Sequence, residues 1–260
     1  MMISNGFPSL SVRIKGLDIQ YAIFLILVLC VSTGSAEILF YDDFERQEID
    51  LTNWIPRVSW STKDNDTRHD VLGRKVLDIW GGGAGLNLTN FPEEFDYYAD
   101  FNAKNGGSLG FVFHAKNDKY FYMHEISTTG SKHAPQHIGW HTNRENNWSV
   151  EITPFADDRK RRQNVWYRVK FEVRKNYKFK AYLGKVGAKW NSLVFVGEWS
   201  DNEKRFEKGK IGFYTRGGNR GAAAHHAQFD NIFVTTPEFN IFLVELKDKL
   251  AVTWGDLKIQ

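Results

Sequence analysis

Short runs in which apolar and polar residues alternate recur from Glu37 to Val234. The clearest run spans residues 165–174, and its apolar positions are Val165, Tyr167, Val169, Phe171 and Val173. Successive side chains of a β-strand point to opposite faces, so this pattern predicts a strand with one buried face and one solvated face. After the turn 175–177 the alternation resumes with Phe179, Ala181 and Leu183, which predicts a hairpin.

Similar runs, separated by clusters of Gly, Asn, Asp and Lys, predict about a dozen strands in total. The further strands are expected at 38–43, 76–80, 86–89, 97–102, 108–114, 120–126, 137–141, 148–152, 193–196, 210–215 and 228–234. The chain shows neither a convincing helical stripe nor a repeat of fixed period. Short strands at this spacing favour an all-β sandwich or barrel.

The first 36 residues are expected to be a cleavable signal peptide. Arg13 and Lys15 precede an apolar run from 21 to 31, and the small residues 34–36 predict cleavage after Ala36. This run is shorter than the roughly 20 residues that a membrane-spanning helix needs. We therefore expect the protein to be secreted, periplasmic or on the cell surface, without a membrane span after cleavage. An uncleaved membrane anchor is the alternative.

Composition narrows the function classes. Lys and Arg number 34 against 31 Asp and Glu, a net charge of +3, and this balance gives no indication of nucleic-acid binding. The only cysteine, Cys30, lies inside the apolar run of the predicted signal peptide, so no disulfide is expected in the mature chain. Aromatic residues make up 15% of the sequence, and their rings favour β-structure and also stack on ligands.

Four stretches carry a resemblance to a known superfamily. They are 40–44 with Asn53-Trp54, 110–114 leading into 120–122, 166–171, and 208–214 running to 229–232. In order and spacing they resemble the concanavalin A-like lectin/glucanase superfamily, in particular laminin G-like jelly rolls and the 3-keto-disaccharide hydrolase-like domains of secreted bacterial proteins. The resemblance implies a two-sheet antiparallel jelly-roll sandwich in which the first and last strands are neighbours and one concave sheet face accepts a glycan.

The resemblance covers the chain from about residue 38 to about residue 234, and it divides the sequence into three parts. We predict a signal peptide at 1–36, a sandwich domain at 37–234 and a C-terminal tail at 235–260. Thr235, Thr236 and Pro237 break the alternation where the tail begins. The tail is expected to dock on the domain or on a partner.

The glucanases of the superfamily use an E-x-D-x-(x)-E strand whose alternate carboxylates face the cleft. The nearest matches here, Glu94-Phe95-Asp96 and Glu48-Ile49-Asp50, lack the third acid. A retaining glycosidase needs two carboxyl groups about 5 Å apart. The favoured function is therefore a carbohydrate-binding or adhesion module without catalytic carboxylates. Two alternatives stay open: a hydrolase that acts on a modified sugar, as the 3-keto-disaccharide hydrolase resemblance implies, and a structural or assembly module.

A candidate ligand site follows from the predicted hairpin 108–126. If residues 115–119 form its loop, the register pairs His114 with Tyr120, Val112 with Tyr122 and Gly110 with His124. One face then carries His114, Tyr120, Tyr122 and His124, and the opposite, core face carries Phe111, Phe113, Phe121 and Met123.

Trp140 and His141 on the neighbouring strand, and Arg216 at the end of another, complete the predicted ligand-binding set. Aromatic rings stack on pyranoses and polar tips bind hydroxyl groups, so this set suits a sugar. The alternative is a solvated sheet face whose residues make structural hydrogen bonds only. If the protein is an enzyme, His114, His124 and Glu125 are the candidate proton-transfer groups. Strand parity, however, places Glu125 on the face opposite His124.

The sequence suggests no cofactor other than a structural calcium ion. Asp42, Asp43, Asp230 and Asn231 fall on the first and last strands, which the resemblance places side by side. Carboxylate and amide oxygens are the ligands that calcium prefers. Against this reading, alternate strand residues point to opposite faces, and Asp-Asn pairs are common in turns.

Overall fold

The computed structural model describes residues 36–56, 60–65, 72–105, 108–127, 138–145, 147–151, 161–215, 225–237 and 239. Within these ranges the chain forms β-strands and one short 3-10 turn at Trp190–Ser192, with no α-helix. The strands are β1 Ile38–Asp42, β2 Trp54–Ile55, β3 Trp60–Asp64, β4 Lys75–Trp80, β5 Gly83–Asn87, β6 Phe95–Asn105, β7 Ser108–Asn117, β8 Tyr120–Ser127, β9 Ile138–Arg144, β10 Asn147–Glu151, β11 Trp166–Arg174, β12 Lys178–Lys185, β13 Val194–Ser200, β14 Lys210–Thr215 and β15 His226–Thr235.

The strands form two antiparallel sheets packed as a sandwich, which confirms the predicted fold class. The eight-stranded sheet has the order β13-β12-β11-β6-β15-β4-β3, and β1 pairs with β15 beside this path. The seven-stranded sheet has the order β10-β9-β8-β7-β14-β5-β2. The first and last strands are neighbours, with Tyr41 opposite Phe233, as the resemblance implied.

The main core lies between the two sheets because each strand buries alternate residues toward the other sheet. On β11, Val169 and Phe171 are fully buried, whereas Lys170 and Glu172 between and beyond them are partly exposed. From the seven-stranded sheet, Phe113 packs edge-on against Phe171, with ring centroids 4.9 Å apart. Such aromatic contacts, repeated between the sheets, make the core unusually rich in rings.

The predicted register of the hairpin between β7 and β8 is wrong by one residue. Phe113 pairs with Tyr122 and Phe111 with His124. Strand β7 continues to Asn117 through an irregularity, and His114 within it has a φ of 46°, in the left-handed region. A bulge of this kind changes the parity of a strand. Consequently Tyr122 and His124 share the core face with Phe111 and Phe113.

Phe121 and Met123, which were predicted to face the core, lie on the other face of the seven-stranded sheet. We call this the outer face. They form a second apolar cluster there with Ala84, Leu86, Val112 and Ala115, and Tyr214 packs against it. The alternation of strand residues was therefore predicted correctly on each strand, but β7 and β8 were combined in the wrong register.

The ends of the predicted domain lie partly outside the described residues. The proposed signal peptide, apart from Ala36, is not among them, so its cleavage stays a prediction. Strand β15 ends at Thr235, and Phe239 packs against a small cluster formed by Tyr98, Trp190, Leu193 and Phe233. In the described part of the chain, no helix has the length and apolar character needed to cross a membrane.

Candidate functional site

Four of the predicted ligand-binding residues lie inside the core. His114, Tyr122, His124 and Trp140 are each 0% exposed. The rings of His124 and Trp140 are 4.4 Å apart, and that of Tyr122 lies 4.8 Å from Phe206. The prediction that these four side chains form an open face is therefore wrong. The hairpin register turns Tyr122 and His124 inward, and Trp140 follows because it pairs with His124.

Two of these buried groups have clear structural partners. The Tyr122 hydroxyl donates to Asp201 Oδ2 at 2.5 Å and accepts from the Phe206 amide at 2.9 Å. Burial raises the pKa of Tyr122 above its usual value. His114 Nδ1 lies 3.0 Å from the carbonyl oxygen of Phe206, and burial lowers the pKa of His114 to about 4. His114 is therefore neutral at pH 7 and holds the segment that contains Phe206.

Glu125 and His141, two further predicted residues, meet on the outer face of the seven-stranded sheet. Glu125 Oε2 lies 3.1 Å from His141 Nε2, and both side chains are 2% exposed. On the neighbouring strands β8 and β9, Met123 pairs with His141 and Glu125 with Gly139, so the carboxylate reaches the imidazole diagonally. As strand parity predicted, Glu125 and His124 lie on opposite faces of the sheet.

Trp148 extends this outer face toward the sheet edge. It pairs with Asn143 across β9 and β10, and its ring lies 5.0 Å from Tyr214 and 5.7 Å from Phe121. The ring of His141 is 6.4 Å away. Trp148 is 37% exposed, whereas Phe121 beneath it is fully buried. The tryptophan is thus supported from below and presents part of its ring to solvent.

An open groove lies beside Trp148, where β8, β9 and β10 reach the edge of the sheet. Its larger part has a volume of 480 Å³ and is lined by Tyr120, Thr142, Arg144, Glu145, Asn147, Trp148, Ser149, Glu203 and Arg205. A second part of 300 Å³ shares Tyr120, Arg144, Glu203 and Arg205 and adds Lys116 and Phe206. We call the two parts together the edge groove. Among the predicted ligand-binding residues, Tyr120 lies in it, whereas Arg216 falls outside the described residues.

Hydrogen bonds hold several of the polar side chains of the edge groove. Glu145 accepts a hydrogen bond from the Tyr120 hydroxyl, which raises the pKa of Tyr120. Arg205 Nε donates to Glu203 Oε2 at 2.8 Å, and this bond lowers the pKa of Glu203. Arg205 Nη1 also donates to Thr142 Oγ1 at 3.3 Å. The groove therefore has fixed polar walls beside the partly exposed ring of Tyr120.

Sequence reasoning missed most of the edge groove. Arg144, Glu203 and Arg205 were not predicted, because residues 203 and 205 belong to a loop that is distant in sequence from β8 and β9.

At the end of β1, the carboxylate oxygens predicted to bind calcium accept hydrogen bonds from the protein. Asp42 Oδ2 accepts from Trp54 Nε1 at 2.8 Å, and Asp42 Oδ1 accepts from the Phe44 amide at 2.9 Å. Asp43 Oδ2 accepts from the Tyr41 hydroxyl at 3.2 Å. These hydrogen bonds close the turn after β1.

On the β15 side, Asp230 is fully buried and accepts from the amides of Gly73 at 3.0 Å and Asn231 at 2.8 Å. Burial raises the pKa of Asp230 well above its usual value, and the neighbouring Asp100 adds to this effect. Asn231 Nδ2 donates to Asp100 Oδ2 at 3.0 Å. Within the residues that the structure describes, no three His, Cys, Asp or Glu side chains are grouped to hold a metal ion. Calcium binding stays a prediction.

Comparisons with known proteins bear on the fold. No protein-family model matches the sequence, and no curated protein matches it. Among solved structures, the chain is similar to a xylan β-1,4-xylosidase from Bacillus halodurans C-125, with a TM-score of 0.51 and 14% identity over 75% of this chain and 38% of the xylosidase chain.

Two further solved structures are similar at lower TM-scores. The lectin UEA-II complexed with galactose has a TM-score of 0.48 and 15% identity over 77% of this chain and 99% of the lectin. A β-glucanase from Bacillus licheniformis has a TM-score of 0.44 and 12% identity over 78% of this chain and 99% of the glucanase. At these identities the likeness concerns the fold alone. The two-sheet antiparallel sandwich of this chain agrees with the fold that its sequence motifs implied.

Proposed function

We propose that this protein is a carbohydrate-binding module and that the edge groove holds the glycan. The observation that carries the proposal is the partly exposed ring of Tyr120, which lines an open cavity of 480 Å³. Small-molecule sites in proteins commonly have volumes of about 300–1,000 Å³, with apolar rings and a few fixed polar groups. A pyranose ring stacks on an aromatic face while its hydroxyl groups bind polar side chains.

The polar walls of the groove suit hydroxyl groups. Glu145, Glu203 and Asn147 offer oxygen acceptors, and Arg144 and Arg205 offer N–H donors. Because Arg205 is held by Glu203 and Thr142, its donors have a fixed direction before a ligand arrives. Such preorganisation lowers the entropic cost of binding. The lectin similarity supports the proposal only by analogy of fold.

Retention on immobilised polysaccharides and binding to a glycan array test the proposal with the full chain. We expect Tyr120→Ala to weaken binding of the retained glycan at least ten-fold, because it removes the stacking surface. Phe195→Ala is the matched control: Phe195 is also an aromatic residue open to solvent, 51% exposed, but it lies on β13 in the other sheet. Retention of no glycan, or equal binding by the Tyr120 and Phe195 variants, contradicts the proposal.

A second candidate function, a hydrolase that acts on a modified sugar, is favoured by the contact between Glu125 and His141. A carboxylate beside an imidazole can accept and return a proton during bond cleavage. The pair lies on the same face as Trp148, whose ring is 6.4 Å from that of His141. A sugar stacked on Trp148 would lie on the sheet face that carries both groups.

Turnover of 3-keto-glucosides tests this second function. We expect Glu125→Gln and His141→Asn each to abolish turnover, because each removes one member of the pair. His124→Asn is the control, since His124 is equally buried on the opposite face of the same strand. Failure of the unmodified protein to turn over these compounds, or full activity of the Glu125 variant, excludes this function and leaves binding alone.

A further inference from the structure

The charged side chains of the edge groove are unequally engaged. Its two carboxylates already accept hydrogen bonds from the protein, Glu145 from Tyr120 and Glu203 from Arg205. In the part of the chain that the structure describes, neither Arg144 nor Lys116 forms a direct ion pair or a side-chain hydrogen bond, and the charge of Arg144 helps to lower the pKa of the nearby Glu203. Both of these cations are exposed. The charged groups of the groove that remain available to a ligand are therefore mainly cations.

The groove brings these groups together. Tyr120 and Arg144 line both of its parts, and Lys116 lines the smaller part. Tyr120 pairs with Arg144 across β8 and β9, so their side chains lie on the same face of the sheet. A ligand that covers the Tyr120 ring therefore has Arg144 beside it and Lys116 in the smaller part of the groove.

We propose that the edge groove prefers an acidic glycan, in which a sugar ring stacks on Tyr120 and a carboxylate on the same or the next ring is bound by Arg144 and Lys116. This inference rests on the proposed carbohydrate-binding function and adds the class of ligand. A guanidinium group matches a carboxylate with two parallel N–H···O bonds, and a lysine ammonium adds a point charge. Uronic acid residues supply such a carboxylate.

Binding of oligogalacturonate and of the same oligosaccharide with its carboxylates fully methyl-esterified, measured by calorimetry on the full chain, tests the inference. The two ligands differ in charge but share rings and linkages. We expect the acidic form to bind at least ten-fold more tightly at low ionic strength, and this advantage to shrink as salt is added, because exposed charges are screened.

Arg144→Gln and Lys116→Gln identify the cations responsible. We expect each to weaken binding of the acidic form several-fold more than binding of the esterified form, because only the acidic form offers a carboxylate to the cation. Lys189→Gln, at an exposed lysine beside the 3-10 turn of the other sheet, is the matched control and is expected to change neither affinity.

Three results would overturn the inference. Equal affinity for the two oligosaccharides would show that a glycan binds without regard to charge, which leaves the proposed carbohydrate-binding function standing. Equal loss of both ligands in Arg144→Gln would show that this arginine positions any sugar and does not recognise the acid. Binding of neither ligand, together with a glycan array that retains nothing, would overturn the proposed function as well.

Discussion

The carboxylate of Glu125 lies 3.1 Å from the imidazole of His141, and both side chains are 2% exposed. The sequence alone does not show that these two residues are in contact, because they lie on separate strands. A polar pair in such a dry environment is sensitive to loss of one member, since the other is left buried with fewer partners.

Removing one member of this pair is expected to lower the free energy of unfolding by more than half as much as removing both. We expect Glu125→Leu and His141→Leu each to lower the free energy of unfolding by about 2–4 kcal/mol, and the double variant by less than their sum. Urea unfolding of the four proteins at pH 7 measures the coupling. Strictly additive effects would show that the two groups do not interact.

Tyr122→Phe is expected to lower the free energy of unfolding by about 1–3 kcal/mol, because it removes one donor to the buried Asp201 carboxylate and the acceptor of the Phe206 amide. The matched control is Tyr97→Phe. The Tyr97 hydroxyl is also buried in the core, but among the described residues it has no hydrogen-bond partner. Its removal should therefore be neutral or stabilising in the same denaturant titration. A similar loss in both variants would refute the assigned role of the Tyr122 hydroxyl.

The buried imidazole of His114 predicts a pH dependence of stability. Its pKa of about 4 in the folded state lies below the usual value of 6.5, so the unfolded chain binds the proton more tightly. The stability contributed by neutral His114 is complete above pH 6.5 and is lost as the pH falls from 6.5 toward 4. Between pH 7.5 and pH 5 this loss amounts to about 2 kcal/mol.

His114→Gln provides the comparison, because glutamine can bond the Phe206 carbonyl but does not titrate. We expect the unfolding free energy of this variant to change less between pH 7.5 and pH 5 than that of the unmodified protein. NMR titration of the imidazole gives a direct reading. Protonation of His114 near pH 6.5 in the folded state would contradict the assignment.

Arg168 and Asp100 form a two-pronged ion pair on the eight-stranded sheet. Arg168 Nε and Nη2 donate to the two carboxylate oxygens at 2.8 and 2.9 Å, and Asp100 is fully buried. We expect Arg168→Lys to lower the free energy of unfolding by about 2–3 kcal/mol, because an ammonium group cannot make both bonds. Arg174→Lys, at a more exposed ion pair with Asp96, should cost less in the same thermal and urea titrations.

The strands that could be predicted are those with unbroken alternation. The hairpin of β11 and β12 has the expected register, with Phe171 opposite Ala181, because its strands alternate without interruption up to a three-residue turn. The hairpin of β7 and β8 was misread because the irregularity at His114 lengthens one strand without changing its composition. Strands β2 and β3 were not predicted, since two residues at Trp54–Ile55 and the largely polar run Trp60–Asp64 carry little alternation.

The candidate site was predictable only in part. Tyr120, Glu125 and His141 were selected for their chemistry, but their grouping depends on which face each strand presents. Tyr120 joins the edge groove, whereas Glu125 and His141 form a pair on the outer face. The residues that complete the groove, Arg144 and Arg205, come from different segments, and no local pattern links them.

By itself the sequence determined the all-β class, most strand positions and the neighbouring first and last strands, because two-residue periodicity is a local consequence of strand geometry. Only the tertiary structure decided which rings are buried and which are open. A shift of one residue between β7 and β8 exchanges the two faces of a hairpin. For that reason Tyr122 lies in the core, whereas Trp148, packed on Phe121 at the sheet edge, presents part of its ring to solvent.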